Sequence, residues 1–236
     1  MPAPITAMKM RIVRILIGVM VGLILVTGAI WGLIKTLGDH EPNFQGKLLD
    51  DWTEQCNSTN SAAREQARSV FEKDILPKLT QVMFCDTNDS KLRMKLITML
   101  NGLPGVTIYF TDADGRRARA ATDLGSFGPA ASRAIPVLIQ AANTTDIAVR
   151  GPALGALGKI HQQPEKIVPF LVKYLDDDNL NTPAAEALGG FGSVAKPAVP
   201  KLISLLKIPD KDLRHAVTDS LKKIDPEAAV QAGIRR

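Results

Sequence analysis

Leu124-Gly125-Ser126-Phe127-Gly128, Leu157-Gly158-Lys159-Ile160-His161 and Leu188-Gly189-Gly190-Phe191-Gly192 are one pattern written three times between Arg116 and Lys223. A fourth copy opens with Leu221-Lys222, and the leucines are 33, 31 and 33 residues apart. Twelve residues after each of the first three leucines a proline stands in an apolar run, at Pro136, Pro169 and Pro200. Seven residues before the leucine stands an arginine in three of the four copies (Arg117, Arg150, Arg214), and Asn181 in the third. A fixed period of this length denotes stacked supersecondary units.

The chemistry inside one period says what the unit is. The stretch up to the leucine carries Ala and Leu at helical spacing, as in Ala118, Ala121 and Leu124. Gly128 and Gly192, four residues past the leucine, suit a helix end, where a left-handed residue is needed. His161 holds the equivalent position and is expected to end its helix too. The proline falls near the start of the next apolar run, where a missing N–H costs nothing. Each unit is therefore helix A, turn, helix B, and only a stack buries the apolar faces. Pro152 and Pro183 fall early in two A helices, which predicts a late start or a kink, with Asn181 or Thr182 capping the latter.

The pattern Arg-x-x-Ala-x-x-x-Leu-Gly-x-x-Gly followed by Ala-(Ile/Val)-Pro-x-Leu resembles the short HEAT repeats of the phycobilisome-lyase type. Arg117 to Leu138 carries it best, then Val149 to Leu175 and Asn181 to Leu206. The resemblance implies an all-α fold, a right-handed α-solenoid of about five HEAT-like helix pairs. It does not imply a ligand, because function sits on surfaces grafted onto the solenoid.

Before the repeats, Ile15 to Ile34 is a run of twenty residues without a charge. At 1.5 Å per residue it spans about 30 Å, the thickness of a bilayer's hydrocarbon core. Lys9, Arg11 and Arg14 precede it. The expectation is a single transmembrane helix over 15–35, the N-terminus in the cytoplasm and the repeats outside a bacterial cytoplasmic membrane. A cleaved signal peptide is the rival, with a shorter apolar core. Gly18, Gly22, Gly28, Ala29 and Gly32 would share one face of the helix, the small-residue arrangement through which two anchors pair as a homodimer.

The expected organisation is a cytoplasmic N-terminus (1–14), the anchor (15–35), a linker and capping helix (36–60), degenerate repeats (61–115), regular repeats (116–225) and a tail (226–236). Gly38 to Gly46 reads as polar linker, and Trp52 as a packing residue of the capping helix. Arg64 to Phe71 and Ile75 to Leu79 read as a first helix pair. Residues 101–115 form an irregular insertion, either a functional loop or a connector in which Tyr109 and Phe110 fill the gap of a missing helix.

The net charge of +5 does not point to nucleic acid. Four of the 29 basic side chains lie in residues 1–35, which hold no acid, so the rest of the chain carries 25 basic against 24 acidic side chains. A nucleic-acid surface needs an excess on one face. Asp112-x-Asp114-Gly115 resembles the opening of a calcium loop but lacks the later ligands, and a helix-capping turn explains it better. His40, His161 and His215 have no partners at ligand spacing, and no nucleophile or phosphate-loop motif appears. No catalytic, metal or cofactor site is expected, and the chain is expected not to be an enzyme. Cys56 and Cys85 either pair as a disulfide or remain two separate thiols.

The leading expectation is therefore a membrane-anchored scaffold for a protein or peptide partner. Helix B spacing turns Leu138, Leu171 and Leu202 inward and leaves Gln140, Phe170, Lys173, Lys201 and Ser204 as the candidate partner-binding residues. The alternatives are an enzyme or enzyme subunit of the bilin-lyase kind, and a structural spacer in the cell envelope.

Overall fold

In the computed structural model residues 42–86, 89–102 and 106–234 are described, together with Met20, Gly28, Ala29 and Gly32. The chain divides into two units: a larger one of Glu41–Asn88 and Thr111–Arg236, and a smaller one that includes Asp89–Phe110.

The larger unit starts with a two-stranded hairpin, β1 (Asn43–Phe44) and β2 (Lys47–Leu48). Gln45 and Gly46 both have positive φ, the geometry of a two-residue turn whose twist matches its strands. The Gly46 N–H donates to Asn43 Oδ1 at 2.8 Å. Residues 43–46, expected as linker, are thus ordered by a turn that Asn43 closes. Helix α1 (Leu49–Cys56) follows, and the Trp52 indole N–H donates to the Phe44 carbonyl at 2.9 Å. Trp52 is 1% exposed and fills the space between hairpin and helix, as a packing residue does.

The front of the repeats differs from the expected helix pair. Helix α2 (Ser61–Val70), capped by Asn60, runs through a π-turn at Phe71–Ile75 into α3 (Leu76–Cys85). At Leu76 the N–H reaches back to the Phe71 carbonyl, so the hydrogen-bond ladder slips one residue just ahead of Pro77. A helix can absorb a proline with such a slip rather than a reversal.

Four A–B pairs follow. The A helices are α5 (Ala113–Ser126), α7 (Ile147–Ile160), α9 (Asn181–Gly190) and α11 (Lys211–Ile224). The B helices are α6 (Ile135–Ala142), α8 (Pro164–Lys173), α10 (Val199–Leu205) and α12 (Pro226–Gln231). Each A helix packs on the next, and α3 packs on α5. Leu124, Leu157, Leu188 and Leu221 are buried in one continuous apolar core.

The glycine after each leucine is where consecutive A helices touch. A Cβ on Gly125 would lie 2.7 Å from Ala156 Cα, one on Gly158 2.5 Å from Ala187 Cα, and one on Gly189 2.5 Å from Ser220 Oγ. Each contact places a glycine against the small residue that precedes the next leucine. Lys222 replaces glycine in the last copy and is exposed.

Helix ends follow the sequence reading closely. Gly128, Gly192 and His161 have φ of 54°, 57° and 52°. Pro136 and Pro200 stand in the first turns of α6 and α10, each after a 3-10 segment (Gly128–Ala134 and Gly192–Ala198). In the second copy that segment is absent: α8 starts at Pro164 and carries Pro169 inside it. Likewise Pro152 does not delay α7, whose start is fixed by Asp146 accepting the Ala148 N–H at 3.1 Å. Pro183 does fall in the first turn of α9, but Leu180 is the cap residue there, not Asn181 or Thr182. Residues expected as tail form α12, capped by Asp225.

In the smaller unit, α4 (Lys91–Asn101) is capped by Ser90. The side chain of Asn101 pairs with the backbone of Ile108, accepting its N–H at 2.7 Å and donating to its carbonyl at 3.2 Å. Ile97, Leu100 and Ile108 form a small core with Val106 and Phe110 against it. Phe110 is half-buried against this core, and Tyr109 is exposed.

Two expectations are corrected. Among the described residues no helix is long and apolar enough to cross a membrane. That removes the transmembrane helix from the fold class, and with it the single-pass placement and the outward orientation. Most of 15–35 lies outside the described residues, Gly18 and Gly22 included. With the transmembrane helix removed, the homodimer through this face has no support. Second, the expected five pairs are four among the described residues, standing behind the α2–α3 run.

Candidate protein-binding face

The outward side of the B helices is set by what they bury. Leu138, Leu171 and Leu202 are fully buried, so the residues two positions on, and one position before the last two, turn away from the core. Gln140, Lys173 and Ser204 are exposed, and Phe170 and Lys201 are half-buried. Phe170 also packs against the edge of the core.

These residues are tied to their neighbours unequally. Phe170 stacks edge-on against Tyr174, with ring centroids 5.2 Å apart. Lys201 pairs with Asp176 of the preceding repeat, and the Ser204 hydroxyl donates to the Lys201 carbonyl at 2.6 Å. Lys201, Ser204 and Asp176 therefore sit together, while Phe170 and Lys173 share α8.

Sequence reasoning missed Tyr174, Asn143 and Asp177, which organise the centre of the face. The Tyr174 hydroxyl lies 2.8 Å from Asn143 Oδ1 and 3.1 Å from the Ala142 carbonyl, joining one B helix to the next. Burial pushes its phenol up, Arg150 pulls it back and Asp177 raises it again. Arg150 lies over the Tyr174 ring at 6.0 Å and pairs with Asp177 at 3.0 Å.

That pair is one rung of a series, which explains the arginine of the repeat. Arg117 pairs with Asp146 at 2.8 Å, an aspartate just before the next A helix, as Asp177 precedes α9. Burial would lower the Arg117 guanidinium, but Asp146 and Asp114 outweigh it and hold the group above its ordinary value. Asn181 carries no charge to extend the series to Asp210, which caps α11 instead. The acidic run Asp176-Asp177-Asp178 thus supplies two ion-pair partners. The signal available in sequence was an aspartate recurring 29 and 27 residues after the repeat arginine.

Other candidates resolve as structure. Asp112 caps α5 by accepting the Gly115 N–H at 2.8 Å. His161 ends α7 in left-handed geometry with its ring 5.8 Å from that of Phe191. His215 is exposed, 3.4 Å from Asp219. His40 lies outside the described residues. Among the described residues no group of three or more His, Cys, Asp or Glu side chains could hold a metal ion. Cys56 and Cys85 are both free, one buried and one exposed. Cys56 lines a groove of about 380 Å³ with Arg64, Arg68 and Pro129. Burial pushes its thiol up, partly offset by Arg68.

No curated protein matches this chain. Among solved structures it is similar to the complex of CpcE and CpcF of phycocyanin lyase from Nostoc sp. PCC7120. The identity is 19%, the match covers 80% of this chain and 70% of that one, and the TM-score is 0.47. That structure belongs to a lyase, so the expectation that this chain is not an enzyme is not kept. At that score and identity the likeness assigns no activity to it either. The family described as HEAT repeats matches residues 111–189, the span holding the first two full A–B pairs and most of α9.

Proposed function

We infer that the larger unit is a protein-binding scaffold and that its partner docks on the B-helix face formed by α6, α8 and α10. The observation carrying this is the mixed surface at α8, where half-buried Phe170 stands beside exposed Lys173 on a frame locked by Tyr174, Arg150 and Asp177. A preformed face with an aromatic anchor and adjoining polar groups loses little entropy on binding. HEAT repeats over residues 111–189 support the scaffold reading. Gln140, Lys201 and Ser204 extend the same face to the neighbouring repeats.

The experiment compares affinity capture by the wild-type chain with capture by Phe170→Ser, Lys173→Glu and a control on an A helix, Lys159→Glu. A partner held by wild type and control and lost from both B-face variants supports the assignment. A partner held equally by all four chains refutes it.

A second reading is a subunit of an enzyme of the bilin-lyase kind, favoured by the resemblance of the repeat residues Leu124-Gly125 to Gly128 and their copies to the repeats of those lyases. It uses the same face to hold the protein that is modified. Incubating the captured partner with a free bilin, with and without this chain, separates the readings. A chain-dependent change in the partner's visible absorbance supports the enzyme subunit, and an unchanged spectrum supports the scaffold alone.

A further inference from the structure

The geometry points to a docking site on α4 of the smaller unit for an acidic amphipathic helix of a protein partner. It is independent of the B-helix face. Helix α4 buries Ile97 and Leu100 against Ile108. On another side Leu92 and Met99 are 69% and 64% exposed, with half-buried Leu96 between them. At 100° per residue these three fall within about 60° of one another. Single exposed apolar side chains are ordinary. Three at positions i, i+4 and i+7 of one helix have the anchor spacing used when amphipathic helices pair. Met99 adds an unbranched side chain that adapts to a partner's surface.

Charge decides the occupant. Lys91 and Lys95 are exposed along one edge of the stripe. Arg93 lies over the Phe110 ring at 4.7 Å, and Asp89, the one carboxylate of the segment, is half-buried and already engaged. A second copy of α4 would bring two more lysines and no exposed carboxylate to meet them. Anionic lipid surfaces are recognised by clusters of about four to eight Lys or Arg residues, and this rim is smaller. A helix with Leu or Met anchors and Glu or Asp along one edge satisfies the apolar stripe and the lysines together.

The test uses the full chain and a labelled synthetic helix with Leu at i, i+4 and i+7 edged by Glu, read by fluorescence anisotropy. A second peptide carries Lys in place of each Glu, and vesicles of phosphatidylserine and phosphatidylcholine are sedimented in parallel. The Glu peptide is expected to bind at least about tenfold more tightly than the Lys peptide and to weaken with salt. Met99→Ser and Lys95→Glu are each expected to weaken it by about tenfold or more, as truncating a central anchor or reversing a facing charge does. The altered residues are exposed, so an unchanged far-ultraviolet circular dichroism spectrum confirms the fold. Absent or equal binding of the two peptides, or full binding by Met99→Ser, overturns the proposal. Vesicle binding tighter than peptide binding would reassign the stripe to a lipid surface, and self-association lost in Met99→Ser would reassign it to a second copy.

Discussion

Helix α7 contains a matched pair of glycines that isolates the contact on which the stack depends. A Cβ at Gly158 would lie 2.5 Å from Ala187 Cα, 2.8 Å from its Cβ and 2.9 Å from its carbonyl oxygen. A Cβ at Gly155, one turn earlier in the same helix, would meet nothing within 4 Å. Carbon atoms pack at about 3.5–4.0 Å, so Gly158→Ala forces α7 and α9 apart by roughly 1 Å. Overpacking of that kind costs about 1–3 kcal/mol. Both substitutions gain the same helix propensity, about 0.8–1.0 kcal/mol. Gly155→Ala should therefore stabilise by up to about 1 kcal/mol, and Gly158→Ala should lie about 1–3 kcal/mol below it. Urea unfolding followed by circular dichroism measures both, and the comparison cancels everything except the close approach. Equal midpoints for the two variants would refute the claim that the glycine of the Leu-Gly pattern is a helix-crossing residue.

Leu157→Ala removes a side chain that is 1% exposed and should cost about 2–5 kcal/mol in the same assay; an unchanged midpoint would take Leu157 out of the core. His161→Gly should raise stability by about 0.5–1 kcal/mol, because φ of 52° is a conformation that glycine takes without strain; a loss would place the ring's contact with Phe191 above the backbone. A double-mutant cycle on Arg150 and Asp177 should give about 0.2–1 kcal/mol, falling with salt, as partly exposed pairs do; zero coupling would reduce the pair to a proximity without energetic content. Asp225 titrates below its ordinary value of 3.8, chiefly because its carboxylate accepts the Ala228 N–H, with Lys196 adding to the effect. Its contribution is present above that ordinary value and lost as pH falls through the lower folded-state value. Asp225→Asn should flatten that part of the acid limb of stability against pH, and an identical acid limb would deny the cap a role.

The part of this fold that was legible in the sequence is the part that repeats, and the reason is physical. A leucine buried in every copy, a glycine fixed by the next helix and a residue with positive φ are each constrained by the same neighbour at the same offset. Four copies display the leucine, and three display the glycine and the positive φ, even where one changes the residue, as His161 does at a glycine position. What was illegible depends on contacts that occur once. The π-turn ahead of Pro77 has no counterpart to compare, so Arg64 to Leu79 read as two helices rather than one run. Asp146 caps α7 as Asp112 and Asp210 cap α5 and α11, but the third copy has Leu180 there, and Pro152 hid the recurrence. The residues of the proposed face fall between these cases. Burial of Leu138, Leu171 and Leu202 repeats, so their outward neighbours could be named in advance. Tyr174 and Asn143 could not, because the first copy bears Ala141 and the third bears Leu205 where the second has Tyr174. The Tyr174 bridge to Ala142 and Asn143, which the aligned residues of the other two copies cannot make, is thus a feature that makes the surface at α8 unlike those at α6 and α10. That is the physical ground for centring the proposed partner site on Phe170 and Lys173.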